Sequence, residues 1–364
     1  MPGFNLHKSS PMSTLGTFPD DAETIRQEQV AEIDRYYSAL VYAAVELRER
    51  AWQRDFSTPD AYRRSVAPNR ARFLQLMGGV PQDAVPLEPR QQELPERPGI
   101  TARRVWIPVD EGVHVYGVLL VPAAPTGPKP AVIAQHGFSG SPEATCGYYE
   151  LEETAYLRSF GLRLAEKGYV VFAPLVMNNT PDRSRPNRKA TLIARQLMGL
   201  EVGKMMRVVD YLQTLPEVDN DRIGYMGISQ GGMMALWAAA ADERIAACVC
   251  SGYFTNRTPK MIDVSPHYTS FIQTGDDDKF FWGQLNEFSD CDIAALICPR
   301  PFFVEAGTED RVFWLEHVRE EFAQLQSIYA QLGIPERVEL GIFEGPHVIH
   351  GVESFAFLDR WLQD

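Results

Sequence analysis

The chain has 364 residues, enough for one large α/β domain with an appendage or for two domains. Hydrophobic residues make up 45% and charged residues 23%, an ordinary globular balance, and no apolar run approaches the roughly 18 residues that span a bilayer. The formal net charge of −13 argues against nucleic acid as a partner, since binding phosphates needs a basic surface.

The opening MPGFNLHKSSPMSTLGTFPDD lacks an apolar core and a cleavage pattern, so no secretory signal is expected and residues 1 to about 20 read as loosely ordered. Cysteines 146, 248, 250, 291 and 298 are scattered, odd in number and without metal-ligand spacing. Both features fit a reducing cytoplasm. From Ala22 to Gln53 apolar residues recur at helical spacing (Ile33, Tyr37, Leu40, Ala44, Leu47), which predicts a long helix. A second helix is expected over Pro59 to Met77, and the proline- and charge-rich stretch Pro81 to Pro98 reads as a connector. Residues 1–100 are therefore expected to form an N-terminal helical appendage and linker. Such an appendage would cover a sheet edge, mediate a homo-oligomer contact, or wall a pocket.

From Thr101 the pattern changes to strands. ARRVWIPV and VHVYGVLLVP flank DEG as a hairpin. AVIAQHG, GYVVFAPLV, DRIGYMGI, IAACVC, PRPFFVEAG and VELGIFEG follow as short apolar runs separated by helical stretches. Alternation of this kind predicts a mostly parallel central sheet with helices on both faces over residues 101–364. Two connections are longer than such a sheet needs. Residues 177–199 carry Arg183, Arg185, Arg188, Lys189 and Arg195, and read as a solvated loop or, for an acidic substrate, an anion site. Residues from about 252 to 294 carry aromatics including Tyr253, Phe281 and Trp282. That insertion reads as a lid lining an apolar pocket, with those three side chains as substrate contacts, or as a satellite core over the sheet.

The chemistry concentrates at G-I-S-Q-G, Gly227 to Gly231, between a strand-like and a helix-like run. A sharp strand-to-helix turn would expose the Ser229 hydroxyl to a base and aim the free N–H groups of the following helix at it. A base and an orienting carboxylate should follow in chain order. His347, two residues past the last strand run in FEGPHVIHG, is the better-placed base, ahead of His350. For the acid, Asp310 in AGTEDRVF reaches back from a turn, with Glu309 as the alternative. The oxyanion donors would be the backbone N–H groups of Gln230 and of Phe138, in the QHGFSG turn. His136 would then brace that turn rather than act as a base.

These motifs resemble the α/β-hydrolase superfamily. More narrowly, RVVDYLQTLPEVDNDRIGYMGISQGGMMALW, CPRPFFVEAGTEDRVF and FEGPHVIHGVESFAFLDRWL are similar to its dienelactone-hydrolase and acetyl-xylan-esterase-like branch, near prolyl-oligopeptidase-type catalytic domains. The resemblance covers about residues 101–362 and implies Ser229 as nucleophile, Asp310 as acid and His347 as base. It implies a serine hydrolase that cleaves a carboxylic ester with a small acyl group, such as an acetyl ester of a sugar or other small alcohol, without metal or cofactor. The missing signal and the aromatic insertion depart from secreted polysaccharide esterases and point away from a xylan polymer. Amide or peptide cleavage, lactone or C–C bond hydrolysis, and a non-catalytic scaffold are the alternative readings. The expected partner is a small-molecule ester, with no nucleic acid and no membrane.

Overall fold

The apolar runs after residue 100 become the strands β2 (Ile100–Asp110), β3 (Val113–Pro122), β4 (Lys129–Gln135), β5 (Val170–Pro174), β6 (Val218–Ile228), β7 (Ile245–Ser251), β8 (Phe302–Gly307) and β9 (Val338–Phe343). A short β1 (Arg90–Glu93) precedes them. The computed structural model describes residues 22–81, 85–95, 97–123, 127–177 and 180–363; the loosely ordered start expected for residues 1–20 lies outside them. The sheet runs in the order β1-β2-β3-β5-β4-β6-β7-β8-β9. β1, β2 and β3 pair antiparallel, β3 joins β5 antiparallel, and β5 through β9 are parallel. β4, β5 and β7 are apolar over most of their length because helices cover both faces, whereas β2 alternates buried and half-buried residues. Strand order reverses beside β4, and the C-terminal ends of β4, β6, β7, β8 and β9 share one edge, where α/β sheets place ligands.

The helices are α1 (Ala22–Arg50), α2 (Pro59–Leu76), α3 (Pro142–Thr145), α4 (Phe160–Glu166), α5 (Thr180–Thr191), α6 (Leu197–Leu212), α7 (Gln230–Ala241), α8 (Arg257–Ile262), α9 (Gln284–Glu287), α10 (Asp290–Ala295), α11 (Leu315–Gln331) and α12 (Glu353–Leu362). On one face of the sheet α2, α6, α7, α10 and α11 build the larger core; on the other, α3, α4 and α12 build the smaller. Every residue of α7 is buried, so the helix that follows Ser229 is fixed from all sides. Among the described residues no helix is long and apolar enough to cross a membrane.

The first hundred residues differ from a simple appendage. α1 buries only Ala44 and is tied down near its C-terminus, by Tyr42 Oη to Asp263 (2.6 Å) and Arg48 to the Leu285 carbonyl (3.3 Å). α2 belongs to the larger core: Tyr62, Val66 and Phe73 are buried, and Phe73 meets Trp237 of α7 edge to face at 5.9 Å. Arg70 donates to the carbonyls of Ala240 and Leu296 (both 2.9 Å), capping the C-terminal ends of α7 and α10. α2 itself starts where Thr58 Oγ1 accepts the Ala61 N–H (3.0 Å) ahead of Pro59. The connector contains β1, an exposed edge strand whose sequence RQQE carries no apolar alternation to announce it.

The 252–294 insertion carries α8, α9 and the start of α10. Its aromatics point largely inward. Phe288 packs against Trp52 (5.6 Å) and Phe73 (5.4 Å), and Phe281 against Trp237 (5.2 Å). It is neither a loose cover nor a separate satellite: its buried aromatics join the larger core between α2 and α7.

Candidate active site

β6 ends at Ile228, and Ser229 holds φ 58°, ψ −120° before α7 begins. A positive φ strains a non-glycine residue and persists only where its surroundings over-determine it. Here the Ser229 N–H donates to the Ser251 carbonyl (2.9 Å), and its carbonyl accepts the Met233 N–H of α7 (2.9 Å). A Cβ on Gly231 would lie 2.0 Å from the Gln135 carbonyl oxygen, and one on Gly227 2.2 Å from the Gly231 carbonyl oxygen. Only glycine lets α7 and β4 approach this closely. The serine side chain is half-buried at the sheet edge.

His347 sits in the loop between β9 and α12, and Asp310 in the turn after β8. Asp310 Oδ2 lies 2.6 Å from His347 Nδ1, while Oδ1 accepts the N–H groups of Val312 (2.7 Å) and Phe313 (2.9 Å). The carboxylate accepts, so Nδ1 carries the proton and Nε2 is left as the acceptor. Phe313 stacks on the imidazole with centroids 6.0 Å apart. A Cβ on Gly252 would fall 2.8 Å from His347 Cε1. Gly252 follows Ser251, the residue that receives the Ser229 N–H, so the imidazole lies over the end of β7, one strand from the serine. Glu309 is exposed with its N–H on the Gly345 carbonyl (2.9 Å). His350 stacks on Phe343 at 4.7 Å.

Glu305 faces the smaller core's helix layer, buried beneath the His347 loop. It accepts from Ser251 Oγ (2.8 Å), Ser354 Oγ (2.7 Å) and the N–H groups of His350 (3.2 Å) and Gly351 (2.9 Å). One carboxylate thus ties the His347 loop and α12 to β7.

The turn after β4 lies against the serine: a Cβ on Gly137 would sit 2.9 Å from Ser229 Cβ. His136 braces this turn. Its Nε2 accepts the Val176 N–H (3.1 Å), so Nδ1 carries the proton and donates to the Gly137 carbonyl (2.7 Å). Burial pushes its pKa down to about 4, which keeps the ring neutral at ordinary pH. Tyr156 Oη donates to the Phe138 carbonyl (2.7 Å). Gln230 opens α7, where helix geometry leaves N–H groups without intrahelical partners.

Sequence reasoning put Arg183 in a solvated loop or an anion site and passed over Lys279; both are buried beside these two residues, with Arg183 engaged by carboxylates of the chain itself. Arg183 of α5 lies over the Phe138 ring at 4.6 Å and Lys279 at 5.6 Å, each 1% exposed. Lys279 Nζ donates to Gln230 Oε1 and to Asp278 Oδ2 (3.0 Å), and Arg183 pairs with Asp278 and, at 3.8 Å, with Asp276. The run DDDK inside an aromatic stretch was the available signal, but such a run ordinarily faces water.

Of the three aromatics expected at the substrate, Tyr253 is buried, donated to by Arg257 (2.7 Å), and packs on Phe313 (5.1 Å). Phe281 is a core residue against Trp237, and Trp282 is 82% exposed in a separate small cleft with Arg188 and Asp277. An open cleft of about 720 Å³ instead borders His347 and Asp310, walled by Val312, Trp314 and His267, the last two stacked at 5.3 Å.

Residues 158–362 match the Prolyl oligopeptidase family model, more than half the chain. The protein named "Putative hydrolase YtaP" of Bacillus subtilis (strain 168) is 29% identical over 313 residues, spanning 81% of this chain and 99% of that one. Among solved structures, a "putative acetyl xylan esterase" of Bacteroides fragilis NCTC 9343 superposes with a TM-score of 0.67 at 17% identity, covering 85% of this chain and 82% of its own. A glucuronoyl esterase from Solibacter usitatus gives 0.61 at 17% identity, covering 82% and 93%. At such identities these likenesses speak for the fold alone. The family match spans the elbow and the turns that carry Asp310 and His347, and the chain belongs to the prolyl oligopeptidase family within the α/β-hydrolase superfamily.

Proposed function

We propose that the protein is a serine hydrolase of carboxylic esters with a small acyl group, acting through an acyl-enzyme. The observation that carries this reading is the 2.6 Å bond from Asp310 to His347 Nδ1 beside the strained Ser229 turn. Ser229 Oγ bonds to the ester carbonyl carbon while its proton passes to His347 Nε2. The negative charge that forms on the carbonyl oxygen is held by the N–H groups of Phe138 and Gln230. The C–O bond to the alcohol then breaks, and His347 returns the proton to the departing oxygen. Water, deprotonated by His347, attacks the acyl carbon and releases the acid with Ser229 restored. Asp310 holds the imidazole in its Nδ1–H tautomer and stabilises the imidazolium. No step needs a metal or cofactor. The resemblance of the strand-end motifs to the acetyl-xylan-esterase-like branch favours an ester over an amide.

Labelling with a fluorophosphonate probe tests the nucleophile. Wild-type protein should label and Ser229→Ala should not; labelling of the variant would refute the assignment. A panel of p-nitrophenyl acyl esters against aminoacyl p-nitroanilides tests the bond. Turnover confined to the anilides would replace the ester reading with amide cleavage.

A further inference from the structure

Resting on the reading of Phe138 and Gln230 as oxyanion donors, we propose that Lys279, supplied by the 252–294 insertion, is a positioning residue for that oxyanion site. Its ammonium holds the Gln230 side chain and, with Arg183, lays positive charge across the Phe138 ring. Neither cation reaches solvent. Burying an ammonium is costly unless it is paired and hydrogen-bonded, and an apolar side chain would often be the more stable occupant. Arg183 and Lys279 together balance the buried Asp276 and Asp278, so charge pairing accounts for the presence of both cations and what singles out Lys279 is its further contact. The second contact of Lys279 is not a carboxylate but the amide oxygen of Gln230. That contact orients the residue whose backbone N–H opens α7 next to Ser229. One cation therefore touches the side chain of the helix donor residue and lies over the ring of the loop donor residue.

The groups facing Lys279 are few. Its own segment contributes Asp278 and Asp276; α5 contributes Arg183; α7 and the β4 turn contribute the neutral Gln230 and Phe138; α6 places the Met198 sulfur 3.9 Å from Gln230 Nε2. Asp277 points outward to Arg188 (2.9 Å). Burial lowers the Lys279 pKa to about 8, with Asp278 opposing and Arg183 reinforcing the shift. The charge therefore disappears within an accessible pH range. A fixed cation that holds the two donor residues in place favours the transition state, in which their N–H groups meet the developing charge, over the ground state.

The test measures kcat and KM for p-nitrophenyl acetate, and the rate of fluorophosphonate labelling, from about pH 6 to about pH 10. Wild type should lose about tenfold in kcat above about pH 8, with KM steady. Lys279→Met should sit at the lower level across the range, while Lys279→Arg should keep the full rate and lose the alkaline fall. Wild-type kcat and an unchanged pH profile in Lys279→Met would overturn the proposal. Equal losses in the Met and Arg variants would also overturn it, because they would mark a purely steric role. Should Lys279→Met not fold, Lys279→Arg decides alone: an alkaline fall that persists in it defeats the proposal. Ser229→Ala separates the two readings. Turnover surviving in that variant removes the catalytic assignment, whereas an inert Ser229→Ala beside an unaltered Lys279→Met removes only the role of Lys279.

Discussion

A single proton decides what the His347 imidazole can do. With Asp310 accepting from Nδ1, the ring presents Nε2 as a base; with an amide in place of the carboxylate, the other tautomer becomes competitive. Asp310→Asn should therefore lower kcat by up to ~10⁴-fold with little change in KM, measured on p-nitrophenyl esters. Glu309→Gln, altering an exposed side chain, should leave kcat within about twofold. A larger loss in Glu309→Gln would reverse the choice of acid. The places of Ser229, Asp310 and His347 past strand ends were legible in the sequence because each stands in a short motif there, and chain order limits the candidates. Glu305 could not be read so fully. Its position in an apolar run was visible, but its four partners come from β7, the His347 loop and α12, which only the fold assembles. Lys279 and Arg183 were hidden for the opposite reason: charged residues in long connections normally face water, and here tertiary pairing buries them.

Between elements, the helix layer holds a buried acid that works against stability at neutral pH. Glu321 of α11 accepts the Cys291 N–H at the start of α10 (2.6 Å), which pins the two helices together at the N-terminal end of α10. Burial pushes its pKa up to about 7, against an opposing contribution from the Cys291 N–H. The folded state therefore holds a proton that the unfolded chain releases near its ordinary carboxyl value, so stability falls as pH rises from about 4.5 to about 7. Glu321→Gln keeps an acceptor for the Cys291 N–H and removes the titration. Unfolding free energies from urea titration should agree with wild type near pH 4.5 and exceed it above pH 7, by on the order of 3 kcal/mol. A constant difference at all pH values would show that Glu321 does not titrate on folding. The strand alternation and most helices were legible at this scale, because periodicity reports burial directly. The inward packing of Phe281 and Phe288 was not. An aromatic run fits a lid and a core equally well, and the choice depends on the N-terminal region, far away in the chain, supplying Trp52 just before α2 and Phe73 within it as partners.

Across the whole molecule, the two N-terminal helices look alike in sequence but hold different places in the stability of the fold. The sequence pattern grouped them because both are amphipathic and precede the first long strand. The structure separates them: α2 fills the larger core and caps α7 and α10 through Arg70, while α1 runs along the outside with Ile33, Tyr37 and Leu40 exposed. Deleting residues 1–40 retains Tyr42, Ala44 and Arg48, which make the attachments seen within the chain. Ester turnover should then stay within about twofold, and the urea midpoint should hardly move, because none of the described residues 22–40 is buried. Deleting residues 1–77 uncovers Tyr62, Val66, Phe73 and Met77 partners on α7 and α10 and frees the Ala240 and Leu296 carbonyls. Each buried apolar side chain lost removes about 2 kcal/mol, against a total stability of about 5–15 kcal/mol for a domain. That deletion should abolish cooperative unfolding, read as loss of a single transition in tryptophan fluorescence. If the shorter deletion instead lowers the midpoint strongly and in proportion to protein concentration, the exposed stripe of α1 is covered in solution by another copy of the chain, and the stability belongs to an assembly rather than to one protomer.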